Sequence, residues 1–364
     1  MSEAPHAAGG GGFNIRGGDS PAAPRSLKPL LAKVAEGKSL REAEAALAFD
    51  IIMSGEATAA QLGAFLMGLR VRGETTDEIA GAVRVMREKM TRIAAPSGAI
   101  DIVGTGGDAK GTHNISTAAA FAVAGAGVPV AKHGNRAVSS KAGAADVLKA
   151  LGVDLDCDMA LVAKALKDAG IAFLMAPRHH GVMRHVAPAR AELGVRTIFN
   201  ILGPLSNPAG VKRQLTGAFA RHWIKPMAEV LGKLGCERAW VVHGSDGLDE
   251  LTTTGASHVA EWRDGRVSTF EVVPEDAGIP RAGNPAVLKG GDADDNAQAI
   301  RDVLAGAKGP LRDIVLFNAG AALMIAGKSA SLKDGVGLAA RAIDDGRARK
   351  ALDSLVRITN SANG

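Results

Sequence analysis

Apolar residues recur at intervals of three and four along residues 26–95, which is the spacing of helices that bury one face. The pattern predicts helices over Leu40 to Met53, Ala59 to Val71 and Thr76 to Met90. The last of these opens on Thr-Thr-Asp-Glu, which is typical of a capped helix start. We therefore predict a small helical domain at residues 26–95.

Beyond residue 95 the pattern changes to short apolar runs that alternate with helical stretches. These runs lie at Ile100 to Val103, Val128 to Ala131, Ile171 to Met175 and Trp240 to Val242. Strands that alternate with helices are typical of a mainly parallel sheet. The predicted fold class is therefore α/β, with a small helical domain and a larger α/β domain around a mainly parallel central sheet.

Composition and charge exclude several classes of protein. The 364 residues are 46% hydrophobic but only 3% aromatic, with no tyrosine, so a sizeable core must consist of Ala, Leu, Val and Ile. The net charge of +5 is not concentrated in a basic stripe, so we expect no nucleic-acid partner. Two cysteines imply no disulfide framework. No apolar run is long enough for a bilayer and no signal peptide is visible, so we expect no membrane association and a cytoplasmic location. Residues 1–25, rich in Gly, Ala and Pro, are predicted to form a disordered tail.

The first candidate for chemistry is the segment Asp101-Ile-Val-Gly-Thr-Gly-Gly-Asp108, where a predicted strand runs into a glycine loop. Its glycines permit positive φ and a close approach of the backbone to a ligand. Asn114-Ile-Ser-Thr117 follows and resembles an N-cap, with Asn114 before an alanine-rich buried helix. Because a helix start directs free N–H groups towards an anion, we predict a phosphorylated small molecule as ligand.

Two familiar phosphate motifs do not match this loop. Ala109 stands where the dinucleotide fingerprint needs glycine, and Lys110-Gly111-Thr112 replaces the Gly-Lys-Ser/Thr of the ATPase P-loop. On its own the loop is equally consistent with a structural turn that binds nothing. Two polar clusters further along the chain favour the ligand.

The first of these clusters is Lys132-His-Gly-Asn-Arg136, which follows the apolar run at Val128 and precedes Ser139-Ser140. We interpret it as a cationic loop after a second strand, and as a neighbour of the glycine loop, because ligands of open α/β sheets bind at the carboxyl ends of strands. Taken alone, such a run is more often a solvated surface loop.

The second cluster contains the adjacent carboxylates Asp249 and Glu250, in a glycine-bearing turn after the strand at Trp240. Hard oxygen ligands of this kind suit Mg²⁺, which is often shared with substrate phosphates. A plain acidic turn is the alternative. A third group, His179, His180 and His185, does not support zinc, because no pair has i,i+4 spacing and no carboxylate is near before Glu192.

Together these motifs closely resemble the anthranilate phosphoribosyltransferases of tryptophan biosynthesis, from about Leu27 to the C-terminal region. The shared segments are FLMGLRVRGET, GTGGD, NIST, KHGNRAVSSKAG, ARAELGVRTIFNILGPLSNPAG and HGSDGLDELTTTG. The resemblance implies transfer of the phosphoribosyl group of phosphoribosyl pyrophosphate to anthranilate, Mg²⁺ as cofactor, and a homodimer formed through the helical domain. It also implies that residues of about 178–208 return to the helical domain, so that the α/β domain comprises residues 96–177 and 209–364.

Carried over by position, the resemblance implies a role for each cluster. Mg²⁺ would be held by Ser116, Asp249 and Glu250, and anthranilate by Gly104, Asn135, His180 and Arg190. No residue is assigned as a general acid or base, and catalysis is expected to be electrostatic, through Lys132 and Mg²⁺. The donor would be bound by Gly104, Gly107, Asp108, Thr112, Asn114, Ile115, Ser116, Thr117, Lys132, His133, Gly134, Asn135, Arg136, Ala137, Val138, Ser139, Ser140 and Ala144.

Two alternatives stay open at this point. A pyrimidine nucleoside phosphorylase shares the architecture and also handles ribose and phosphate, although KHGNR together with GTGGD favours the transferase. A catalytically silent relative would bind nucleic acid or a partner protein through the helical domain. It would be expected to lose the carboxylates or the glycine loop and to gain a basic patch, and neither change is visible in this chain.

Overall fold

A computed structural model of the chain describes residues 25–108, 110–136 and 142–361. The predicted N-terminal tail, except for Arg25, and residues 137–140 of the predicted donor site lie outside this part of the chain.

Four helices form the N-terminal part: α1 (Lys28–Ala35), α2 (Glu42–Met53), α3 (Ala59–Arg72) and α4 (Thr76–Lys89). The three predicted helices agree with α2, α3 and α4 to within two residues at each end, whereas α1 was not predicted. The predicted start of α4 is confirmed, because the Thr75 hydroxyl accepts from the Glu78 N–H while the Glu78 carboxylate accepts from the Thr75 N–H.

The remaining chain builds one seven-stranded sheet with helices on both faces. Its spatial order is β3-β2-β1-β4-β5-β6-β7, and every pairing from β3 to β5 is parallel, whereas β6 and β7 are antiparallel. The mainly parallel sheet is thereby confirmed. The strands are β1 (Ile100–Gly104), β2 (Val130–Gly134), β3 (Ile171–Met175), β4 (Arg213–Gly217), β5 (Arg238–Gly244), β6 (Ser257–Arg263) and β7 (Arg266–Val272).

Eleven further helices lie among the described residues of this part. They are α5 (Ile115–Gly125), α6 (Ala144–Ala150), α7 (Met159–Asp168), α8 (Ala176–His179), α9 (Ala187–Leu193), α10 (Phe199–Leu202), α11 (Ile224–Lys233), α12 (Ala293–Leu304), α13 (Pro310–Ile325), α14 (Leu332–Asp344) and α15 (Arg347–Thr359). None of the helices in the described ranges is both long enough and apolar enough to cross a membrane.

Alternating side chains of the sheet enter two different cores. Trp240 and Val242 pack in a core with α5 and α13, whereas Ala239 and Val241 pack in a second core with α11 and the N-terminal helices. Helices α9 and α10 contribute Ala189, Phe199 and Leu202, among others, to that second core. The segment between β3 and β4 therefore packs against the N-terminal helices.

The parallel strands place the candidate site. In the sheet order β1 lies beside β4, and the connection after β1 runs to β2 on one side whereas the connection after β4 runs to β5 on the other. Ligands of open α/β sheets bind at the carboxyl ends of strands where the order reverses in this way. At that edge Gly104 ends β1 directly beside Gly217, which ends β4.

Candidate active site

The glycine loop lies at the end of β1 and is covered by the loop after β5. Gly106 and Gly107 have φ of 67° and 72°, a left-handed conformation that favours glycine. The Gly106 N–H donates to Asp249 Oδ2 at 2.7 Å. A Cβ on Gly104 would lie 2.4 Å from the same oxygen, and a Cβ on Gly217 would lie 1.5 Å from the Asp249 carbonyl oxygen. Glycine at the ends of β1 and β4 thus lets Asp249 approach the backbone.

Helix α5 starts at the same edge. Its Ser116 N–H donates to Glu250 Oε1 at 3.2 Å, so this carboxylate lies at the helix N-terminus. Asn114 is the N-cap residue, but its side chain makes no capping hydrogen bond. Instead the Asn114 Oδ1 accepts from Asn296 Nδ2 at 3.0 Å, which ties the helix start to α12.

Lys132 and His133 do not belong to a loop, and the predicted end of the second strand is wrong. Strand β2 continues to Gly134, and both side chains are buried, with 3% of each residue exposed. The strand can continue because the polar groups of both side chains have hydrogen-bond partners inside the protein. The Lys132 Nζ donates to the Ile102 carbonyl oxygen at 2.5 Å and to Ser116 Oγ at 3.1 Å. Burial lowers the pKa of Lys132, and the charges of Asp101, Glu250 and Asp249 oppose this effect.

His133 faces the other way and pairs with His180. The two Nε2 atoms are 3.2 Å apart, and His133 Nδ1 lies 3.1 Å from the Gly203 carbonyl oxygen. Because a carbonyl oxygen only accepts, the proton lies on His133 Nδ1, and His180 Nε2 must then donate to His133 Nε2. The His180 Nδ1 keeps a lone pair and is buried without a hydrogen-bond partner among the described residues. Burial, followed by neighbouring histidine charge, lowers the pKa of His133 to about 3 and that of His180 to about 4, so both rings are neutral.

A buried carboxylate holds this end of β2 in place. Asp101 Oδ1 accepts from the His133 N–H at 3.1 Å, and Asp101 Oδ2 accepts from Asn207 Nδ2 at 2.7 Å. Asn207 Nδ2 also donates to the Ala131 carbonyl oxygen at 2.8 Å. Burial raises the pKa of Asp101 to about 6, against the effect of these hydrogen bonds and of Lys132. The segment before β4 is thereby tied to β1 and β2.

The electrostatics of Asp249 and Glu250 favour a bound cation. Burial raises the pKa of Asp249, and the charge of Asp108 raises it further. Burial also raises the pKa of Glu250, with Asp249 as the next cause. No group of three or more His, Cys, Asp or Glu side chains with metal-binding geometry occurs in the described ranges. This donor set fits Mg²⁺, which usually takes only one or two protein carboxylates and completes its shell with water and substrate phosphates.

Two arginines from the segment between β3 and β4 approach the site differently. The Arg190 guanidinium lies 5.5 Å from the centre of the Phe199 ring, and its side chain has no hydrogen bond or ion pair with any described residue. Burial lowers the pKa of Arg190. The Arg196 guanidinium lies 4.5 Å from the Phe219 ring and donates to the Gly107 carbonyl oxygen. Arg190 is therefore available for an anionic ligand, whereas Arg196 holds the glycine loop.

The other predicted site residues vary in accessibility. Ile115 and Thr117 are buried, with 1% of each residue exposed. Asn135 and Arg136 are exposed directly after β2. Thr112 forms an isolated bridge with Lys289, and Ala144 begins α6 within 3.7 Å of a Cβ built on Gly134.

Several residues around the site were not predicted from the sequence. Arg196 and Asn207 lie inside the motif ARAELGVRTIFNILGPLSNPAG, so that shared segment already pointed to them. Asn296 had no such signal, because its partners Asn114 and His113 are about 180 residues away in the chain.

Comparisons with known proteins agree with this architecture. Residues 28–90 match the profile of the glycosyl transferase family, helical bundle domain, and residues 97–349 match that of the glycosyl transferase family, a/b domain. The anthranilate phosphoribosyltransferase of Azospirillum brasilense is 63% identical over 347 residues, which cover 94% of this chain and 97% of the relative.

Solved structures show the same similarity. The anthranilate phosphoribosyltransferase of Thermus thermophilus superposes with a TM-score of 0.86 at 45% identity, covering 91% of this chain and 99% of that one. The enzyme from Saccharomyces cerevisiae in complex with PRPP and Mg gives a TM-score of 0.84 at 27% identity, over 93% and 100% of the two chains. The chain therefore belongs to the anthranilate phosphoribosyltransferases of the glycosyl transferase family.

Proposed function

We propose that this protein transfers the phosphoribosyl group of phosphoribosyl pyrophosphate to the amine of anthranilate, giving N-(5-phosphoribosyl)anthranilate and pyrophosphate in tryptophan biosynthesis. One observation carries the proposal beyond family membership. Two carboxylates, Asp249 and Glu250, accept from the backbone N–H groups of Gly106 in the glycine loop and of Ser116 in helix α5. A site with backbone donors for phosphate and oxygen ligands for a hard cation suits a magnesium pyrophosphate group.

The donor would bind across the carboxyl ends of β1 and β2. Gly104, Gly107 and Asp108 border it on one side, and Asn114 to Thr117 offer backbone N–H groups and the Ser116 hydroxyl. Lys132 is already within 3.1 Å of that hydroxyl, so its charge is held beside the phosphate-binding helix start. The remaining predicted donor residues, from Gly134 to Ser140 together with Thr112 and Ala144, would complete the site.

The Mg²⁺ ions would be held by Asp249, Glu250 and the Ser116 hydroxyl. When bound, Mg²⁺ would neutralise negative charge on the pyrophosphate leaving group. The carboxylates would then leave the Gly106 and Ser116 N–H groups free for phosphate oxygens.

Anthranilate would bind where the segment between β3 and β4 meets the end of β2. The unpaired Arg190 guanidinium can meet a carboxylate with two parallel hydrogen bonds. Asn135 and Gly104 would lie at the amine end. His180 would contribute its free Nδ1 lone pair, and His133 acts through His180 rather than on the donor as its position in KHGNR implied.

The chemistry needs orientation and charge rather than proton removal. An arylamine is already a free base at neutral pH, so no general base has to act before attack. Lys132 and the helix-start N–H groups stabilise the departing pyrophosphate, while the bound geometry aligns the amine with the ribose C1.

Loss of anthranilate fluorescence tests the proposal directly. Purified protein is incubated with anthranilate, phosphoribosyl pyrophosphate and Mg²⁺, and the expected loss requires all three. A folded protein that leaves anthranilate unchanged would contradict the transferase. Phosphorolysis of pyrimidine nucleosides, measured with inorganic phosphate, would then support the nucleoside phosphorylase instead.

The division into a helical domain, with a returning segment at 178–208, and an α/β domain is proposed to have a mechanical role. Arg190 and Arg196 belong to the segment that packs with the N-terminal helices, whereas Gly107 belongs to the α/β part. Closure on binding of both substrates would bring Arg190 to the acceptor. Small-angle scattering should show a smaller radius of gyration with both substrates, and identical curves would contradict closure.

A homodimer formed through the helical domain is also proposed. Four large apolar side chains are exposed among the described residues, and three of them, Leu47, Val71 and Val195, lie in the helical part or the segment that packs on it. We expect sedimentation equilibrium to give twice the chain mass and Val71→Glu to weaken association. A monomer at all concentrations would refute this assembly.

A further inference from the structure

We propose that Asn318 is a positioning residue for the two carboxylates of the candidate metal site, acting through the backbone of Leu251. Helix α13, which carries Asn318, lies on the face of the sheet away from the N-terminal helices. None of the sequence motifs includes this residue. The inference rests on the proposed role of Asp249 and Glu250 in binding Mg²⁺.

The Asn318 side chain makes two hydrogen bonds to the backbone of one residue, Leu251. Asn318 Oδ1 accepts from the Leu251 N–H at 3.0 Å, and Asn318 Nδ2 donates to the Leu251 carbonyl oxygen at 2.9 Å. The second Nδ2 hydrogen donates to the Ile314 carbonyl oxygen at 2.9 Å. The carboxamide therefore uses both of its N–H donors. Its hydrogen bonds satisfy the Leu251 N–H and carbonyl groups, which a neighbouring strand would satisfy in a sheet.

Burial makes the hydrogen bonds between Asn318 and Leu251 specific for an amide side chain. Asn318 and Leu251 are both fully buried, and Asn318 stands among apolar residues of α13. A buried amide in such surroundings is retained only when its hydrogen bonds are made, and no apolar side chain could satisfy the Leu251 peptide groups. Asn318 thus satisfies one particular backbone segment rather than filling space.

That backbone segment is the one that carries the carboxylates. The Leu251 N–H belongs to the peptide bond that joins Glu250 to Leu251, so Asn318 fixes the chain immediately after Glu250. On the other side, the Asp249 carbonyl oxygen rests against Gly217. Further along the same loop, Asp246 Oδ2 accepts from the Thr252 and Thr254 hydroxyls, at 2.6 Å each. Residues that orient metal ligands in this way are known to affect metal affinity strongly.

The test compares variants by their Mg²⁺ requirement for binding pyrophosphate, measured by calorimetry without turnover. Asn318→Leu keeps the branched shape of the side chain and removes both hydrogen bonds to Leu251. We expect it to need about tenfold more Mg²⁺ for half-maximal pyrophosphate binding, the usual size of effect for a residue that supports a metal ligand. The KM for anthranilate should stay unchanged, because Arg190 and His180 are held by other elements.

A matched control separates positioning from stability. Leu323→Ala creates a cavity in the same helix, also at a fully buried position. It should lower the thermal midpoint of unfolding but leave the Mg²⁺ requirement unchanged. An unchanged requirement in Asn318→Leu, or an equal increase in Leu323→Ala, would overturn the proposal.

Two further measurements keep the outcome clear. If Asn318→Leu does not fold, hydrogen exchange of the Leu251 amide in the wild-type protein is the deciding measurement. Slow exchange is expected, and fast exchange would contradict the hydrogen bond from Leu251 to Asn318. If the wild-type protein does not bind pyrophosphate even with Mg²⁺, the proposed metal site itself fails, whatever the variants do.

Discussion

Glu250 and Ser116 are joined by a hydrogen bond in which the Ser116 backbone N–H donates to Glu250 Oε1 at 3.2 Å. This N–H is one of the groups at the start of α5 that have no carbonyl partner within the helix. The neighbouring Asp249 Oδ2 accepts from the Gly106 N–H in the same way, at 2.7 Å. The two carboxylates therefore occupy backbone donors that the proposed function assigns to phosphate oxygens.

Removal of the Glu250 side chain should expose one of these donors. Glu250→Ala is expected to bind pyrophosphate in the absence of Mg²⁺ about tenfold more tightly than the wild-type protein, as for one charge-assisted hydrogen bond gained. It should also lose most of the gain in affinity that Mg²⁺ gives the wild-type protein. Titration calorimetry with and without Mg²⁺ measures both effects.

Glu250→Gln is the control for charge alone. It removes the negative charge but keeps an oxygen that can accept from the Ser116 N–H, so its metal-free affinity should rise less than that of Glu250→Ala. Equal affinities of the two variants for pyrophosphate would assign the whole effect to charge. If neither variant binds pyrophosphate more tightly than the wild-type protein, Glu250 does not compete with phosphate for the Ser116 N–H.

Arg190→Ala should weaken anthranilate binding selectively. The guanidinium has no hydrogen bond or ion pair with a described residue and lies over the Phe199 ring, so its removal should affect ligand binding more than the fold. We expect the KM for anthranilate to rise about tenfold to hundredfold, the value of a charge-assisted contact, with the KM for phosphoribosyl pyrophosphate unchanged. Arg190→Lys should restore only part of the affinity, because an ammonium cannot make the two parallel hydrogen bonds. A parallel rise in both KM values would point to a general structural defect.

Glu78 should contribute strongly to the stability of the N-terminal helices. It is fully buried, pairs with Arg72, and accepts from the Leu40 N–H at 2.8 Å and the Thr75 N–H at 2.9 Å. Glu78→Ala removes the carboxylate partner of half-buried Arg72 and leaves two backbone donors without a partner, so the free energy of unfolding should fall by about 3 kcal/mol. Glu88→Ala, at an exposed position of the same helix, should change it by less than about 0.5 kcal/mol in the same urea titration.

The paired histidines should make stability depend on pH. Their pKa values of about 3 for His133 and about 4 for His180 lie below the value of about 6.5 expected in the unfolded chain. At these two sites the unfolded chain binds more protons between these limits, so the contribution of the histidines to the free energy of unfolding should fall as the pH is lowered from about 6.5 to about 4. Asp101, Asp249 and Glu250, whose pKa values burial raises, act in the opposite direction, so the histidine contribution is measured as a difference in slope between the wild-type protein and a histidine variant.

Urea titrations across this pH range, on the wild-type protein and on His180→Gln, measure the effect. The variant should show the smaller loss on acidification, and slopes are compared because the substitution also shifts stability at every pH. Parallel curves for the two proteins would show that His180 is not held neutral by the fold.

Local patterns in the sequence predicted the helices with one apolar face and the strands that consist mainly of apolar residues. Three of the four N-terminal helices and strands β1, β2, β3 and β5 follow from periodicity and from short apolar runs. Strands β6 and β7 were not predicted, because they form the antiparallel edge of the sheet, where polar side chains alternate with apolar ones. Strand β4 escaped because its buried residues include polar Gln214 and Thr216.

By itself the sequence determined the fold class and the family, and it indicated the segments of the candidate site, because glycine loops, helix starts and adjacent carboxylates are local signals. Only the tertiary structure decided that Lys132 turns towards Ser116 while His133 turns towards His180. It also decided that Asp249 and Glu250 lie on backbone donors of distant segments, and that Asn318 grips the chain beside them. These contacts join residues between 16 and 143 positions apart, so they depend on how strands and helices pack, which no local pattern encodes.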